Sequence, residues 1–170
     1  MSAYHNPNSY ETAKERLDLE QNRSFDNLEE ILEYSFEDHI ISETEKEDFT
    51  NQFSDIFLEA YSLKRKLDFI HLEPAESIVK LIDDYGSIHR LVKKHNERVI
   101  KERLEKNREF FDHCLSYPLD EQQRRSIVSE EDNCLVVSSA GSGKTSSIVG
   151  KVKYLIECKG IDPKKILLIS

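Results

Sequence analysis

Apolar positions recur at helical spacing through the first two thirds of the chain. Leu28, Ile31, Leu32, Ser35, Phe36, His39 and Ile40 trace one face. Ser42-x-x-Glu45 has the spacing of a capping box, in which a hydroxyl and a carboxylate each satisfy an orphaned backbone N–H, so a new helix is expected there. Its face carries Phe49, Phe53, Ile56, Phe57, Ala60, Leu63 and Leu67. Pro74 ends that helix or opens the next, since proline is tolerated in a first turn. Ile78, Leu81, Ile82, Tyr85 and Ile88 form the following face. Leu91, Val92, His95, Val99, Ile100 and Leu104 then run on to Phe110 and Phe111. From Glu11 to about His113 the pattern predicts helix almost throughout, with Gly86 the only glycine, and three or four packed helices suit it. Residues 1–10, rich in Asn, Ser and Pro with little to bury, are expected to be disordered.

The pattern changes in the last third. Pro118-Leu119-Asp120 turns into a helix at Asp120, which with Gln123 has the N-cap and N3 spacing of another capping box. Asn133-Cys134-Leu135-Val136-Val137 is a short apolar run that reads as a buried parallel strand. Ile148, Val149, Val152, Leu155 and Ile156 return to helical spacing. Gly160 fits the end of that helix, and Asp162-Pro163 fits a turn into a second apolar run, Lys165 to Ser170. The order predicts a β-α-β unit with a right-handed crossover. The fold expected is therefore α/β overall: an α-helical region over residues 11–115, then the start of a parallel sheet over residues 116–170. Two strands and one helix bury too little apolar surface to stand alone, so the chain is expected to be the N-terminal piece of a longer protein.

Between the first apolar run and its helix lies Ser138-Ser139-Ala140-Gly141-Ser142-Gly143-Lys144-Thr145, a near match to the phosphate-binding pattern G-x-x-x-x-G-K-[ST] with Ser138 in place of the first glycine. Gly141 and Gly143 can take backbone angles closed to other residues, which lets consecutive N–H groups turn inward around an anion. Lys144 would set an ammonium against the outer phosphates, and the Thr145 hydroxyl would ligate the magnesium ion that travels with them. The helix start adds its positive end.

Composition narrows the remaining readings. No run approaches the length of a membrane span, and Met1 to Tyr10 has no basic start followed by an apolar stretch, so neither a membrane nor a secretory signal is expected. Cys114, Cys134 and Cys158 are odd in number and lack zinc spacing, which suits reduced structural cysteines in a cytoplasmic protein. Residues 1–84 carry 21 acidic and 8 basic side chains, whereas residues 85–170 carry 12 and 16. The acidic half would repel a nucleic-acid backbone and reads as a solvated helical surface or a surface for a basic partner. Leu81-Ile82-Asp83-Asp84 resembles a magnesium-holding strand but has helical period, so its aspartates are expected on a helix surface. Arg90, Lys94, Arg98, Lys101 and Arg108 share a helix face. They could contact phosphate, but a solvated face with pairs such as Glu97–Lys101 and Glu102–Lys106 is preferred.

Gln123 admits two roles. As a capping residue it returns a hydrogen bond to the helix start; as a side-chain amide it can donate and accept at once, matching the edge of adenine. Leu119-Asp120-x-x-Gln123-Arg124, followed about fifteen residues on by Ala140-Gly141-Ser142-Gly143-Lys144-Thr145, resembles the start of a superfamily 1 helicase of the UvrD/Rep type. The stretch from His95 to Asp112 is similar to the helical lead-in of helicase IV-like bacterial members. The resemblance implies a RecA-like fold in which Gln123 reads adenine and the Walker A residues Ser139, Ala140, Gly141, Ser142, Gly143, Lys144 and Thr145 hold ATP with Mg2+, Thr145 on the metal. Ser146 stands where several members carry an arginine against the adenine, and Ser170 would lead into a motif contacting single-stranded DNA. It further implies a DNA repair helicase or translocase acting on single-stranded DNA or duplex ends, moving 3′ to 5′, whose catalytic glutamate and arginine fingers lie downstream. Residues 1–170 alone are expected to be inactive in unwinding. The reading set against this is a helical protein-interaction or regulatory module, with a partner for residues 1–115 and a vestigial loop. A small-molecule kinase fits the loop but not the Gln123 spacing.

Overall fold

The computed structural model describes residues 27–130, 134–137 and 143–169. The expectations for residues 1–26, for Asn133, for the loop residues Ser138 to Ser142 and for Ser170 lie outside them. Helices occur in the order α1 (Leu28–Phe36), α2 (Glu43–Gln52), α3 (Ser54–Phe69), α4 (Glu76–Gly86), α5 (Ile88–Lys106), α6 (Arg108–His113), α7 (Glu121–Val128) and α8 (Lys144–Glu157), with a 3-10 turn at Pro163–Lys165. The chain divides into two compact units, residues 1–37 with 45–92 and residues 38–44 with 93–170.

The first unit is built from helices whose apolar faces meet. Asn27 caps α1, accepting from Glu30 N–H. The expected helix through Phe49 and Leu67 is broken at Phe53, where the Thr50 hydroxyl takes the Lys46 carbonyl at 2.7 Å and competes with the backbone ladder. α4 follows Pro74 by two residues and packs on α1 and α3. Leu28, Leu32, Ala60, Leu63, Leu67, Ile78 and Leu81 are buried. Phe57 and Tyr85 stack with ring centroids 4.2 Å apart. Asp83 and Asp84 fall on α4 as expected, Asp83 exposed and Asp84 bonded to Lys80 at 3.2 Å.

The second unit has its own core of Ile40, Val99, Ile100, Phe111, Cys114, Leu119, Ile127, Val128 and Tyr154. The face read from Leu28 to Ile40 therefore stops at Phe36, because Glu37 takes a left-handed φ of 38° and ends α1. Residues 39–42 have no regular secondary structure, and Asn96 of α5 grips Ile41 by both backbone groups, donating to its carbonyl at 2.9 Å and accepting from its N–H at 2.8 Å. The buried His95 ring lies 2.9 Å from the His39 carbonyl, and Arg103 donates to the Asp38 carbonyl at 2.8 Å.

The expected α/β fold is not what forms: the described residues are helical, with no strand or sheet among them. Cys134–Val137 and Ile166–Ile169 are extended but carry no ladder. Their side chains do alternate. Cys134, Val136, Ile166 and Leu168 line one cavity with α8, whereas Leu135, Val137, Leu167 and Ile169 are each more than 80% exposed. The period of two places side chains on alternate faces. A parallel sheet, however, requires backbone partners on its edges and cover on both faces, and neither is present among the described residues.

Two residues of the basic stripe, Arg98 on α5 and Arg108 on α6, are paired, though not as expected. Arg98 binds Glu102 at 3.0 Å, Arg108 lies 3.9 Å from Glu105, and Glu97 pairs with Arg125 of α7. These contacts replace Glu97–Lys101 and Glu102–Lys106 and favour the solvated reading of that stripe.

Candidate functional site

The site grows from the capped start of α7 and the uncapped start of α8. Asp120 and Gln123 form the expected capping box: Asp120 Oδ1 accepts from Gln123 N–H at 2.8 Å, and Gln123 Oε1 accepts from Asp120 N–H at 2.9 Å. This fixes the Gln123 amide. Arg124 supports the same turn, donating to the Leu119 carbonyl and to Asp112, each at 2.7 Å.

Gly143 occupies the N-cap of α8 in the left-handed region, φ 82°, with no side chain to cap the helix and no acidic residue in the first turn. A Cβ built there would lie 2.3 Å from Gln123 Nε2. Glycine is required on two counts, the backbone angle and the space. The structure thus brings Gln123 against the last glycine of the phosphate-loop motif, although 20 residues separate them in sequence. Lys144 and Thr145 follow in the first turn, both exposed. A helix start with this geometry and no acidic residue in its first turn suits an anion. Ser146 in the same turn is buried, and its hydroxyl lies 2.6 Å from that of Tyr117. Ser139, Ala140, Gly141 and Ser142 lie outside the described residues.

Close helix contact holds the site in place. A Cβ on Gly150 of α8 would lie 2.7 Å from Ile127 Cδ1 and 3.1 Å from Leu119 Cδ1, so α8 lies directly on the α7 segment. Lys151 reaches the end of α7, donating to the Ile127 and Ser129 carbonyls at 2.6 and 2.8 Å. Its burial pushes the ammonium below the ordinary lysine range. Gly160, at φ 66°, ends α8, and Asp162 caps the turn that follows, as expected.

Two features were not anticipated. Tyr117 gives no motif signal, only an aromatic residue beside Pro118. The cluster of Glu130 with Arg103 at 2.8 Å and Lys159 at 2.9 Å joins residues far apart in sequence. Among the described residues, no group of three or more His, Cys, Asp or Glu side chains could hold a metal ion, and no helix is long and apolar enough to cross a membrane. Cys114 is buried, whereas Cys134 and Cys158 are exposed free thiols.

Residues 119–170 match the UvrD/REP helicase N-terminal domain. The chain is 36% identical over 76 residues to DNA helicase IV of Escherichia coli (strain K12), covering 45% of this chain and 11% of that protein. Over 52 residues it is 38% identical to a probable DNA helicase II homolog of Mycoplasma capricolum, covering 31% of this chain and 7% of that protein. ATP-dependent DNA helicase UvrD1 of Mycobacterium tuberculosis gives the same identity and the same coverage. The chain thus spans only a small part of these relatives, and no solved structure matches it. The capped glutamine, Gly143 and the start of α8 all lie within the segment that is similar to the UvrD/REP helicase N-terminal domain.

Proposed function

We propose that this chain supplies the first part of the ATP site of an ATP-dependent DNA helicase or translocase. The observation that carries the reading is the approach of Gln123 Nε2 to Gly143 at the start of α8, inside the segment matched to the family. The described residues suit a nucleotide there. The missing side chain at Gly143 lets the Gln123 amide approach, and the first turn of α8, which has no acidic residue, brings N–H groups, Lys144 and the Thr145 hydroxyl together. In this reading Lys144 neutralises the outer phosphates, Thr145 ligates Mg2+, and Ser139 to Ser142 complete the loop. Gln123 Oε1 accepts from the Asp120 N–H, and in this reading the side-chain amide of Gln123 meets the edge of adenine. Bound Mg–ATP supplies the free energy for movement on DNA; the residues of this chain bind and orient it.

The test is DNA-stimulated ATP hydrolysis by the intact protein. Lys144→Ala is expected to lower turnover by about 10²-fold or more, as loss of a charge clamp on a phosphoryl group does. Unchanged turnover would remove Lys144 from the site.

A second role is proposed for the first unit, as a surface for a protein partner. Leu58, Tyr61 and Phe69 stand exposed at helical spacing on α3, opposite its buried Ala60, Leu63 and Leu67, and border a groove of about 610 Å³ with Arg65 and Lys66. An apolar anchor flanked by carboxylates would fit this lining. Selection of displayed peptides on the intact protein should enrich acidic sequences with an aromatic residue, and Arg65→Glu should abolish their binding. Enrichment of no such class would count against the role.

A further inference from the structure

Two side chains lie near Gly143, and a third, which the sequence motifs do not account for, is bonded to one of them. Gln123 Nε2 lies against the glycine, and Ser146 Oγ is 3.8 Å from the position its Cβ would take. The third is Tyr117, whose hydroxyl is 2.6 Å from Ser146 Oγ. Its ring is not part of the core: it is 57% exposed, whereas the core aromatics Phe111 and Tyr154 are 1% exposed. An aromatic ring anchored at its polar end to the first turn of α8 while its body stays open to solvent gains little from packing. It does offer a flat face next to Ser146, at the start of α8.

We infer that Tyr117 is the aromatic platform for the nucleobase of the bound nucleotide. The inference rests on the nucleotide-binding reading above and names a specificity residue for that site. The division of labour follows from chemistry. Gln123 presents a donor and an acceptor suited to a base edge, Tyr117 presents a π surface suited to a base face, and Ser146 fixes where that surface stands relative to Lys144. Stacking recognises any base by its face, so Tyr117 would set affinity and Gln123 would set the preference for adenine.

The experiment compares ADP with inorganic tripolyphosphate, which has no base, as ligands of the intact protein by calorimetry. Tyr117→Ala is expected to weaken ADP about 10-fold, the typical effect of losing one base–aromatic stack, and to leave tripolyphosphate unchanged. Tyr117→Phe keeps the ring and should hold ADP within about 3-fold of the unsubstituted protein. Lys144→Ala should weaken both ligands. If Tyr117→Ala binds ADP as the unsubstituted protein does, or weakens both ligands equally, the platform role is overturned. Equal losses in the Ala and Phe variants would place the effect in the hydroxyl and overturn it too. If the unsubstituted protein binds neither ligand, the nucleotide-binding reading itself fails, an outcome distinct from all of these.

Discussion

The two units satisfy their backbones and apolar faces by different means. In the first, helices meet through faces visible as a 3.6-residue period, and the short ion pairs Lys64–Asp68 and Lys80–Asp84 each lie within one helix, with Lys80 also 3.9 Å from Glu29 of α1. In the second, long polar side chains hold backbone groups distant in sequence. Asn96 grips Ile41, Arg103 the Asp38 carbonyl, Lys151 the end of α7 and Lys153 the Cys114 carbonyl at 2.7 Å. Periodic helices can close on one another using side-chain shape alone. Irregular segments must have their N–H and C=O groups met individually, and the residues that meet them also fix where α7 and α8 lie.

The strongest test of this contrast removes the aromatic centre of the second core. Phe111 is 1% exposed, stacks on Tyr154 with centroids 5.9 Å apart and lies under the Arg124 guanidinium. Phe111→Ala is expected to cost about 3–5 kcal/mol through lost burial and the cavity left behind. Denaturant unfolding would give the total, and hydrogen exchange would locate it in residues 93–130. A loss below about 1 kcal/mol would mean that polar tethers, not this core, hold the unit together.

Asn96→Ala asks about those tethers directly. It leaves both backbone groups of Ile41 without their partner beside a side chain only 2% exposed. Each such group costs about 1–3 kcal/mol when buried unsatisfied. Amide exchange at Ile41 should accelerate even if the rest of the unit is unaltered. An unchanged rate there would show that the segment is held by Ile40 burial alone.

These tethers mark the limit of what the sequence disclosed. Leu28, Leu63, Leu67, Ile78 and Leu81 were legible because a helix writes its buried face into local spacing. Asp120 with Gln123 and Gly160 were legible because caps are local chemistry. Asn96 was not, since its partner lies 55 residues away and an asparagine on a helix surface has no period. The break at Phe53 turned on a threonine hydroxyl competing with the ladder. The two apolar runs read as buried parallel strands and no strand forms among the described residues, because strand formation depends on pairing, which no single run encodes. In the site, the Gly143–Lys144–Thr145 motif was plain, whereas the approach of Gln123 and the Tyr117–Ser146 contact required the packing of α7 on α8.

Two glycines sharpen the contrast at smaller scale. A Cβ on Gly86, at the end of α4, would meet nothing within 4 Å, whereas one on Gly150 meets Ile127 and Leu119. Gly150→Val is expected to cost about 1–3 kcal/mol by overpacking a filled contact. Gly86→Ala should be neutral or stabilising by up to about 1 kcal/mol, through reduced freedom of the unfolded chain. Thermal unfolding of both variants in parallel would check this, and equal effects would mean that the α7–α8 contact is looser than its geometry.

The smallest expected effect separates the charge pairs of the two units. Lys64 and Asp68 are 35% and 50% exposed, so solvent screens them and their removal should leave stability unchanged within error. Glu130 is held between Arg103 and Lys159. Burial pushes its carboxyl upward, but the hydrogen bonds from Lys159 and Arg103 outweigh that and leave it below the ordinary 4.5. A carboxylate depressed in the folded state adds stability that is fully present above its unfolded value. That stability is lost as pH falls through the folded value. Stability measured from pH 7 down to pH 3 should therefore decline below about pH 4.5, and Glu130→Gln should flatten part of that decline. Asp68→Asn should not. If the two variants change the acid limb alike, the charge cluster around Glu130 is as solvent-screened as the surface pair, and the second unit depends on its neutral side-chain-to-backbone bonds alone.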